Sequence, residues 1–246
     1  MAASPAVAAG REPWRLRILA WNLWELRGDL SALVETIQDL TPDVLLVQEG
    51  PRFVLPAARL DWLARQVDRR VLLGGAGGRG LAILATDAVA AQVIRRGAHP
   101  VAQQLTDLNS TYPRGVAAVR LSVPGGGAVV VASTHLALQE DNRRAHAEHL
   151  SALVRGAGAP VIVGGDLNET ADGAARTFLA PLLRDPAAQS ELTFPAAGPQ
   201  RRIDAVLVTD GVQVEQARAV RSTDRVDAER LSGASDHLPT LVDVAL

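Results

Sequence analysis

The chain has 246 residues, of which 48% are hydrophobic and 21% charged, a balance too apolar for a disordered chain, and a chain of this length buries roughly 70–75% of its unfolded surface on folding. It holds no cysteine and no lysine, so all 25 basic residues are arginine; this excludes a disulfide scaffold, a thiolate metal site, a cysteine nucleophile, a Gly-Lys phosphate loop and Schiff-base chemistry. The net charge of −2 is low for a protein that holds duplex DNA without sequence preference, because phosphate neutralisation drives that binding.

Residues 1–13 are alanine-rich and lack the basic and leucine-rich regions of a signal peptide, so they read as a disordered leader. No run approaches the ~18–20 apolar residues of a membrane span. The expectation is a single domain over residues 14–246, a monomer, in the cytoplasm, with secretion open to a processed form. Leu16 to Leu23 reads as a buried strand. Asp29 to Leu40 carries Leu30, Leu33, Val34, Ile37 and Leu40 at helical spacing, with Asp29 as N-cap and Pro42 closing the helix. Val44 to Val47 is an apolar strand, which completes a β-α-β unit. Pro56 to Val67 has a helical face of Leu60, Leu63, Ala64 and Val67. Val71 to Leu73, Leu81 to Leu84 and Val89 to Ile94 read as strands. Gly115 to Val123 and Ala128 to Ser133 flank Pro124-Gly125-Gly126-Gly127, a hairpin signal. A polar helix follows from about Glu140 to Val154, then a strand from Pro160 to Gly164 that ends at Asp166. Ala171 to Leu183 reads as helical, and strands over Ile203 to Val208, Val212 to Ala219 and Leu238 to Val244 end the chain. Strands joined by helices and by hairpins imply mixed sheets covered by helices.

Two motifs carry bland readings. Gly75-Ala76-Gly77-Gly78-Arg79-Gly80 matches G-x-G-x-x-G, but a strand rather than a helix follows, so it reads as a glycine-rich turn. His146 and His149 stand three apart, not the four of a metalloprotease helix, and read as a solvated face.

Other polar residues share one placement, at the ends of strongly apolar strands. Asn22 ends the first and Glu49 the second. His135 follows Val129 to Thr134, and Asp166 and Asn168 follow Val161 to Gly165. Asp204 lies within Ile203 to Leu207, and Asp236-His237 precedes Leu238 to Val242. A charge beside a buried strand is costly unless it is paired or binds metal. Strand ends of such sheets meet at a shared rim where ligands bind. Carboxylates with amides and no thiol favour a hard cation such as Mg²⁺ or Mn²⁺. Two histidines add proton transfer or phosphate hydrogen bonding, and the set suits hydrolysis of a phosphate ester.

Trp21-Asn22, Gln48-Glu49, Thr134-His135-Leu136, Gly165-Asp166-Leu167-Asn168, Arg202-Ile203-Asp204 and Ser235-Asp236-His237 stand in one order from Leu16 to Leu246. In that order the chain resembles the endonuclease/exonuclease/phosphatase superfamily. The resemblance implies an α+β fold, a four-layer α/β/β/α sandwich of two mixed sheets packed face to face with helices outside. It implies a metal on Glu49 with Asn22 and Asp236 nearby, Asp166 orienting or deprotonating the attacking water, Asn168 holding the phosphate, and Asp204 orienting His237 on the scissile phosphate. His135 as acid or phosphate ligand resembles the phosphatase, sphingomyelinase and pancreatic-type deoxyribonuclease branches rather than the abasic-site repair branch. Arg114 stands where relatives often place a phosphate-binding arginine. Tyr112 is assigned to loop packing and Arg201 to solvent. The expectation is a metal-dependent phosphatase or phosphodiesterase acting on a small or lipid-like phosphoester. The alternatives are a nuclease of the same fold and an inactive binding module.

Overall fold

The computed structural model describes residues 12–105 and 112–246. The leader expected at the N-terminus lies, for residues 1–11, outside the described residues. In chain order the strands are β1 (Arg15–Asn22), β2 (Val44–Gln48), β3 (Arg70–Leu73), β4 (Ala82–Ala85), β5 (Val93–Val101), β6 (Arg114–Ser122), β7 (Ala128–His135), β8 (Val161–Asp166), β9 (Asp204–Val208), β10 (Gln213–Ala219) and β11 (Thr240–Ala245). The helices are α1 (Leu30–Leu40), α2 (Pro56–Gln66), α3 (Asp87–Ala90), α4 (Glu140–Gly156), α5 (Ala174–Leu179) and α6 (Ala228–Ala234).

The strands form two mixed sheets, in the orders β10-β11-β1-β2-β4-β3 and β5-β6-β7-β8-β9. The parallel pairs are β1 with β2 and β7 with β8, each joined through a helix. Alternation along the strands builds the layers. Ile18, Ala20, Val44 and Leu46 of one sheet meet Val119, Val131, Ile162 and Val206 of the other in a buried central core. The opposite faces of β1 and β2, with Leu19, Trp21 and Leu45, are covered by Leu33 and Ile37 of α1, Leu63 of α2 and Leu231 of α6. Val116, Ala132 and Val163 are covered by Leu150 and Val154 of α4 and Leu179 of α5. The result is the four-layer sandwich.

The Asp29 carboxylate caps α1 by accepting from the backbone of Ser31 and Ala32, worth about 1 kcal/mol. Three segments differ from the sequence reading. Val89 to Ile94 is not one strand, because the Thr86 hydroxyl accepts from the Val89 N–H and starts the short α3 before β5 begins. β5 then runs on to Val101 as a largely exposed edge strand, which its polar residues Arg95, Arg96 and His99 had hidden. The helix expected from Ala171 to Leu183 shrinks to α5. A Thr170–Asp172 turn delays its start, and Pro181 restricts the residue before it and removes a backbone donor. The third difference is His146, placed on a solvated face but buried at 2% exposure. It shares the inward row of α4 with Asn142, Leu150 and Val154, four residues apart.

Candidate active site

The strand alternation that fills the central core also builds the site. Inward positions are apolar along β1, β2, β7, β8 and β9 until the last step at one end of the sandwich. There they become Asn22, Gln48, Ser133, His135, Asp166 and Asp204, all buried. Parallel β7 and β8 place His135 opposite Asp166, and antiparallel β9 places Asp204 opposite Asp166 on its other side. Gln48 and Ser133 stitch the two sheets at this mouth. The Gln48 amide donates to the Ser133 hydroxyl at 2.8 Å, which donates to the Val47 carbonyl at 2.7 Å.

Asp166 is the hub. Its Oδ1 accepts from the Asn168 N–H at 2.9 Å, and its Oδ2 accepts from the Asn22 amide at 3.1 Å. The same oxygen lies 3.2 Å from His135 Nε2 and 3.7 Å from His237 Nε2. Burial opposes charging of this carboxyl, but His237, His135 and the Asn168 N–H outweigh it and hold it well below the usual range. Asn168 has a left-handed backbone, φ 55°, which lets its side-chain amide turn back to the Leu136 carbonyl at 2.8 Å.

His237 Nδ1 lies 3.0 Å from both Asp204 oxygens. Burial disfavours a charged ring, yet the charges of Asp204 and Asp166 prevail and push His237 up to about 10. His135 goes the other way: burial, then the charge of Arg114, push it down to about 4, so its ring is neutral. The two histidines therefore differ in charge at neutral pH. Supports missed by the sequence reading fix the dyad. Trp21 Nε1 donates to the His237 carbonyl at 2.8 Å, and the Ser235 hydroxyl donates to the Asn22 carbonyl at 2.7 Å. Phe194 packs against the imidazole with centroids 4.6 Å apart, and Thr193 Oγ1 accepts from the Asp204 N–H at 3.3 Å. Trp21 and Ser235 stand within the quoted motifs but were given no role there, whereas Thr193 and Phe194 carry no pattern that could have announced them.

Glu49 stands at the end of β2 with a left-handed backbone, φ 45°. Its carboxyl is pushed up by burial, then by the charges of Asp166 and Asp236. Asp236 is half-buried and Arg114 is buried at 4% exposure. Among the described residues, Arg114 Nε and Nη1 have no hydrogen-bond partner, while Asp166 and Glu49 both act on its charge. Arg201 is exposed, with its guanidinium 5.3 Å from the Phe194 ring. The Gly75–Gly78 segment is a short 3-10 turn leading to β4, as the glycine-rich reading expects.

Ligand atoms of Asp166, Asp204 and His237 lie within 4.8 Å of one another, a group that could hold a metal ion. Asp204 and His237 Nδ1 face each other and Asp166 is held by four neighbours, so Glu49 and Asp236, beside Asp166, are the less committed carboxylates. Three carboxylates crowded in a partly buried mouth repel one another, and a hard divalent cation would relieve that repulsion. The donor set thus fits such an ion.

Residues 19–237 match the family model described as "Endonuclease/Exonuclease/phosphatase family". The chain belongs to this family. Its members are phosphoester hydrolases, generally dependent on a divalent metal, and the chain is a hydrolase of that class. No curated protein matches it in sequence. Solved structures share the fold. An endonuclease/exonuclease/phosphatase from Bacteroides vulgatus is 18% identical, with TM-score 0.75 over 95% of this chain and 99% of that one. The mannosyl-6-phosphatase Bt3783 of Bacteroides thetaiotaomicron is 17% identical, with TM-score 0.69 over 94% of this chain and 100% of that one. D. rerio TDP2, complexed with a single-strand DNA product, is 17% identical, with TM-score 0.68 over 94% of this chain and 98% of that one. Among the described residues no helix is long and apolar enough to cross a membrane.

Proposed function

We propose that this family member hydrolyses a small or lipid-like phosphoester with the help of Mg²⁺ or Mn²⁺, in preference to duplex DNA. The observation that carries the reaction is the convergence on Asp166 of His237 Nε2 at 3.7 Å, His135 Nε2 at 3.2 Å and the Asn168 N–H at 2.9 Å, beside Arg114 with its unpartnered N–H groups. Glu49, with Asn22 and Asp236, would hold the metal, which when bound would supply Lewis-acid neutralisation of phosphate charge. Asp166 takes a proton from the attacking water as the water oxygen bonds phosphorus and the ester P–O bond breaks, and the leaving alkoxide takes a proton from solvent water. The His237 imidazolium, kept protonated by Asp204, donates Nε2–H to a phosphate oxygen. Asn168 has a second amide proton for the same group, and His135 and Arg114 complete the cradle. Charge-assisted donors of this kind are the strong ones.

The small or lipid-like substrate class is supported by an apolar surface on the segments that follow Asn22 and Glu49. Phe53, Val54 and Leu55 are exposed at 61%, 81% and 71%, and Trp24, Leu30 and Trp62 at 36% each. Leu26, Leu30, Val54, Leu55, Ala58 and Trp62 line an apolar groove of ≈ 360 Å³. This patch begins two residues after Asn22 and four after Glu49, and an exposed apolar patch marks a surface that meets something apolar. Many arginines that could track a phosphate backbone are instead paired: Arg70 with Asp87, Arg143 with Glu169, Arg202 with Asp185, Arg225 with Asp39 and Arg230 with Glu35. A panel of phosphomonoesters, short-chain phospholipids and plasmid DNA, assayed at physiological salt with Mn²⁺ and with EDTA, tests the reading. The expected result is turnover of a small or lipid ester that stops in EDTA. Rapid plasmid nicking without ester turnover would reverse the substrate assignment, and full activity in excess chelator would remove the metal.

A further inference from the structure

A second group of side chains stands behind Arg114, outside the set that meets the phosphate. Tyr112 is two residues before it, and its ring receives two guanidinium groups. Arg52 lies 3.5 Å from the ring centroid and Arg114 lies 4.6 Å from it. The ring also meets His135 edge-on, with centroids 5.5 Å apart. Two cations on one ring repel each other unless one is neutralised. Glu25 offsets Arg52 through Oε1, accepting from its Nε at 2.7 Å and pairing with its Nη2 at 2.5 Å, while Glu25 Oε2 accepts from Arg27 Nη2 at 2.7 Å. Glu25 is buried at 6% exposure in a left-handed turn, φ 54°, and its N–H bonds the Glu49 carbonyl at 2.7 Å. The chain of contacts therefore runs from the backbone of Glu49 through Glu25, Arg52 and Tyr112 to Arg114.

The glycine-rich turn supplies the space for this stack. A Cβ at Gly80 would stand 3.0 Å from the Tyr112 hydroxyl and 3.1 Å from Arg52 Cδ, and Gly80 has φ +89°, which L side chains rarely adopt. The last glycine of the motif is thus explained by close approach. The Tyr112 hydroxyl is buried without a hydrogen-bond partner among the described residues. The aromatic face, not the hydroxyl, is what Tyr112 contributes.

We propose that Tyr112 is a positioning residue for Arg114: its ring, braced by the Glu25–Arg52 pair over Gly80, holds the guanidinium so that Nε and Nη1 stay free for a substrate phosphate. This rests on the reading above that Arg114 binds phosphate. A guanidinium free to swing would find carboxylates nearby in Asp166 and Glu49. Holding it on a ring keeps its donors unspent.

The test measures inorganic phosphate binding by calorimetry in the manganese-loaded protein, with KM and kcat on p-nitrophenyl phosphate beside it. Tyr112→Leu should weaken phosphate roughly 5–30-fold, the range of one desolvated cation–π contact, and raise KM more than it lowers kcat. Tyr112→Phe keeps the ring and should recover most of that loss. In an Arg114→Ala background Tyr112→Leu should add nothing. Tyr112→Met, which keeps bulk without a ring, takes the place of Tyr112→Leu if the leucine variant does not fold. An unchanged affinity in the ring-less variant, an equal loss in the Arg114→Ala background, or a Phe variant as poor as Leu would each overturn the proposal while leaving Arg114 as phosphate ligand. If Arg114→Ala itself leaves phosphate binding intact, the reading of Arg114 falls, and the role of Tyr112 falls with it.

Discussion

At the scale of single residues, the site depends on one side chain keeping another charged. His237 owes its raised pKa of about 10 to Asp204 and Asp166, against burial. A ring held there is protonated throughout the neutral range and can donate to phosphate at pH 7 and at pH 9 alike. Asp204→Asn keeps the shape but removes the charge that raises the ring, so its pKa falls toward the ordinary imidazole value of about 6.5. The fraction protonated then drops as pH rises through neutrality. The expected outcome is a kcat/KM that is about 10²–10⁴-fold lower, with its alkaline limb moved to lower pH. A pH–rate profile of the variant parallel to that of the wild type would show that the pair does not act as a unit. Asp204 and His237 were both legible in the sequence, because an acid and a histidine beside apolar strands demand a partner. Their mutual contact was expected from the family resemblance alone and not from spacing, since 33 residues separate them and only the crossing from β9 to the segment before β11 brings them together. His146 shows the opposite failure. Arg143, Arg144 and Glu148 surround it in sequence, and their polarity hid an inward row that Leu150 and Val154 announce.

At the scale of elements, the loops that carry the candidate catalytic residues are held by a buried ionic cluster that no motif revealed. Glu169, directly after Asn168, accepts from Arg143 Nε at 2.7 Å and from the Arg176 backbone at 2.6 Å. Arg176 of α5 pairs with Asp185, which also takes Arg202 Nη1 at 2.5 Å. Arg202 precedes Ile203 and Asp204. The cluster thus ties the Asp166–Asn168 segment to the Asp204 segment through the short α5, which explains why so small a helix stands there. Arg176 and Arg202 are each 6% exposed and share one carboxylate. Burial opposes the charge on Asp185, but the two arginines prevail and hold its carboxyl below the usual range. Removing that carboxylate strands two buried cations, a loss of about 3–5 kcal/mol. Asp185→Asn should lower the urea midpoint accordingly with little change in slope. Replacing Arg176, Asp185 and Arg202 together by apolar residues of similar volume should recover most of the stability, but not the activity if the cluster also sets loop position. A small effect of Asp185→Asn on unfolding would mean that water reaches the cluster. The sequence could not show this, because the three residues are spread over 27 positions, Arg176 and Asp185 look like ordinary surface charges, and the motif that contains Arg202 names no partner for it.

At the scale of the whole molecule, the two sheets are joined by apolar packing through their centres and opened at one end by like charges. The layers were legible from the apolar strands, their lengths and the connections between them. The assignment of strands to sheets was not: β11 returns from the end of the chain to lie beside β1, and β5 leaves the first sheet to start the second. That assignment is what sets Glu49 and Asp236 from one sheet near Asp166 from the other. The Glu49 carboxyl is raised by burial and then by those two charges. A carboxyl raised in the folded state stabilises fully only below its unfolded pKa, and that stability is lost as pH rises through the folded value. At neutral pH the metal-free mouth is therefore a source of strain between the sheets, and a bound divalent cation should remove it. An ion that binds only the folded state, at a hundred times its dissociation constant, adds about 2.7 kcal/mol, which for a chain of this size raises the melting temperature by roughly 5–10 °C. Mn²⁺ should produce that rise and EDTA should reverse it. Glu49→Gln separates the two contributions. It removes one of the repelling charges, so the metal-free variant should melt higher than the metal-free wild type, while its response to Mn²⁺ should largely disappear. A variant that melts lower without metal, or one that keeps the full response to Mn²⁺, would show that Glu49 is neither strained by its neighbours nor a principal ligand. The ion would then sit on the Asp166, Asp204 and His237 group instead, and Asp204→Asn rather than Glu49→Gln would abolish the thermal response.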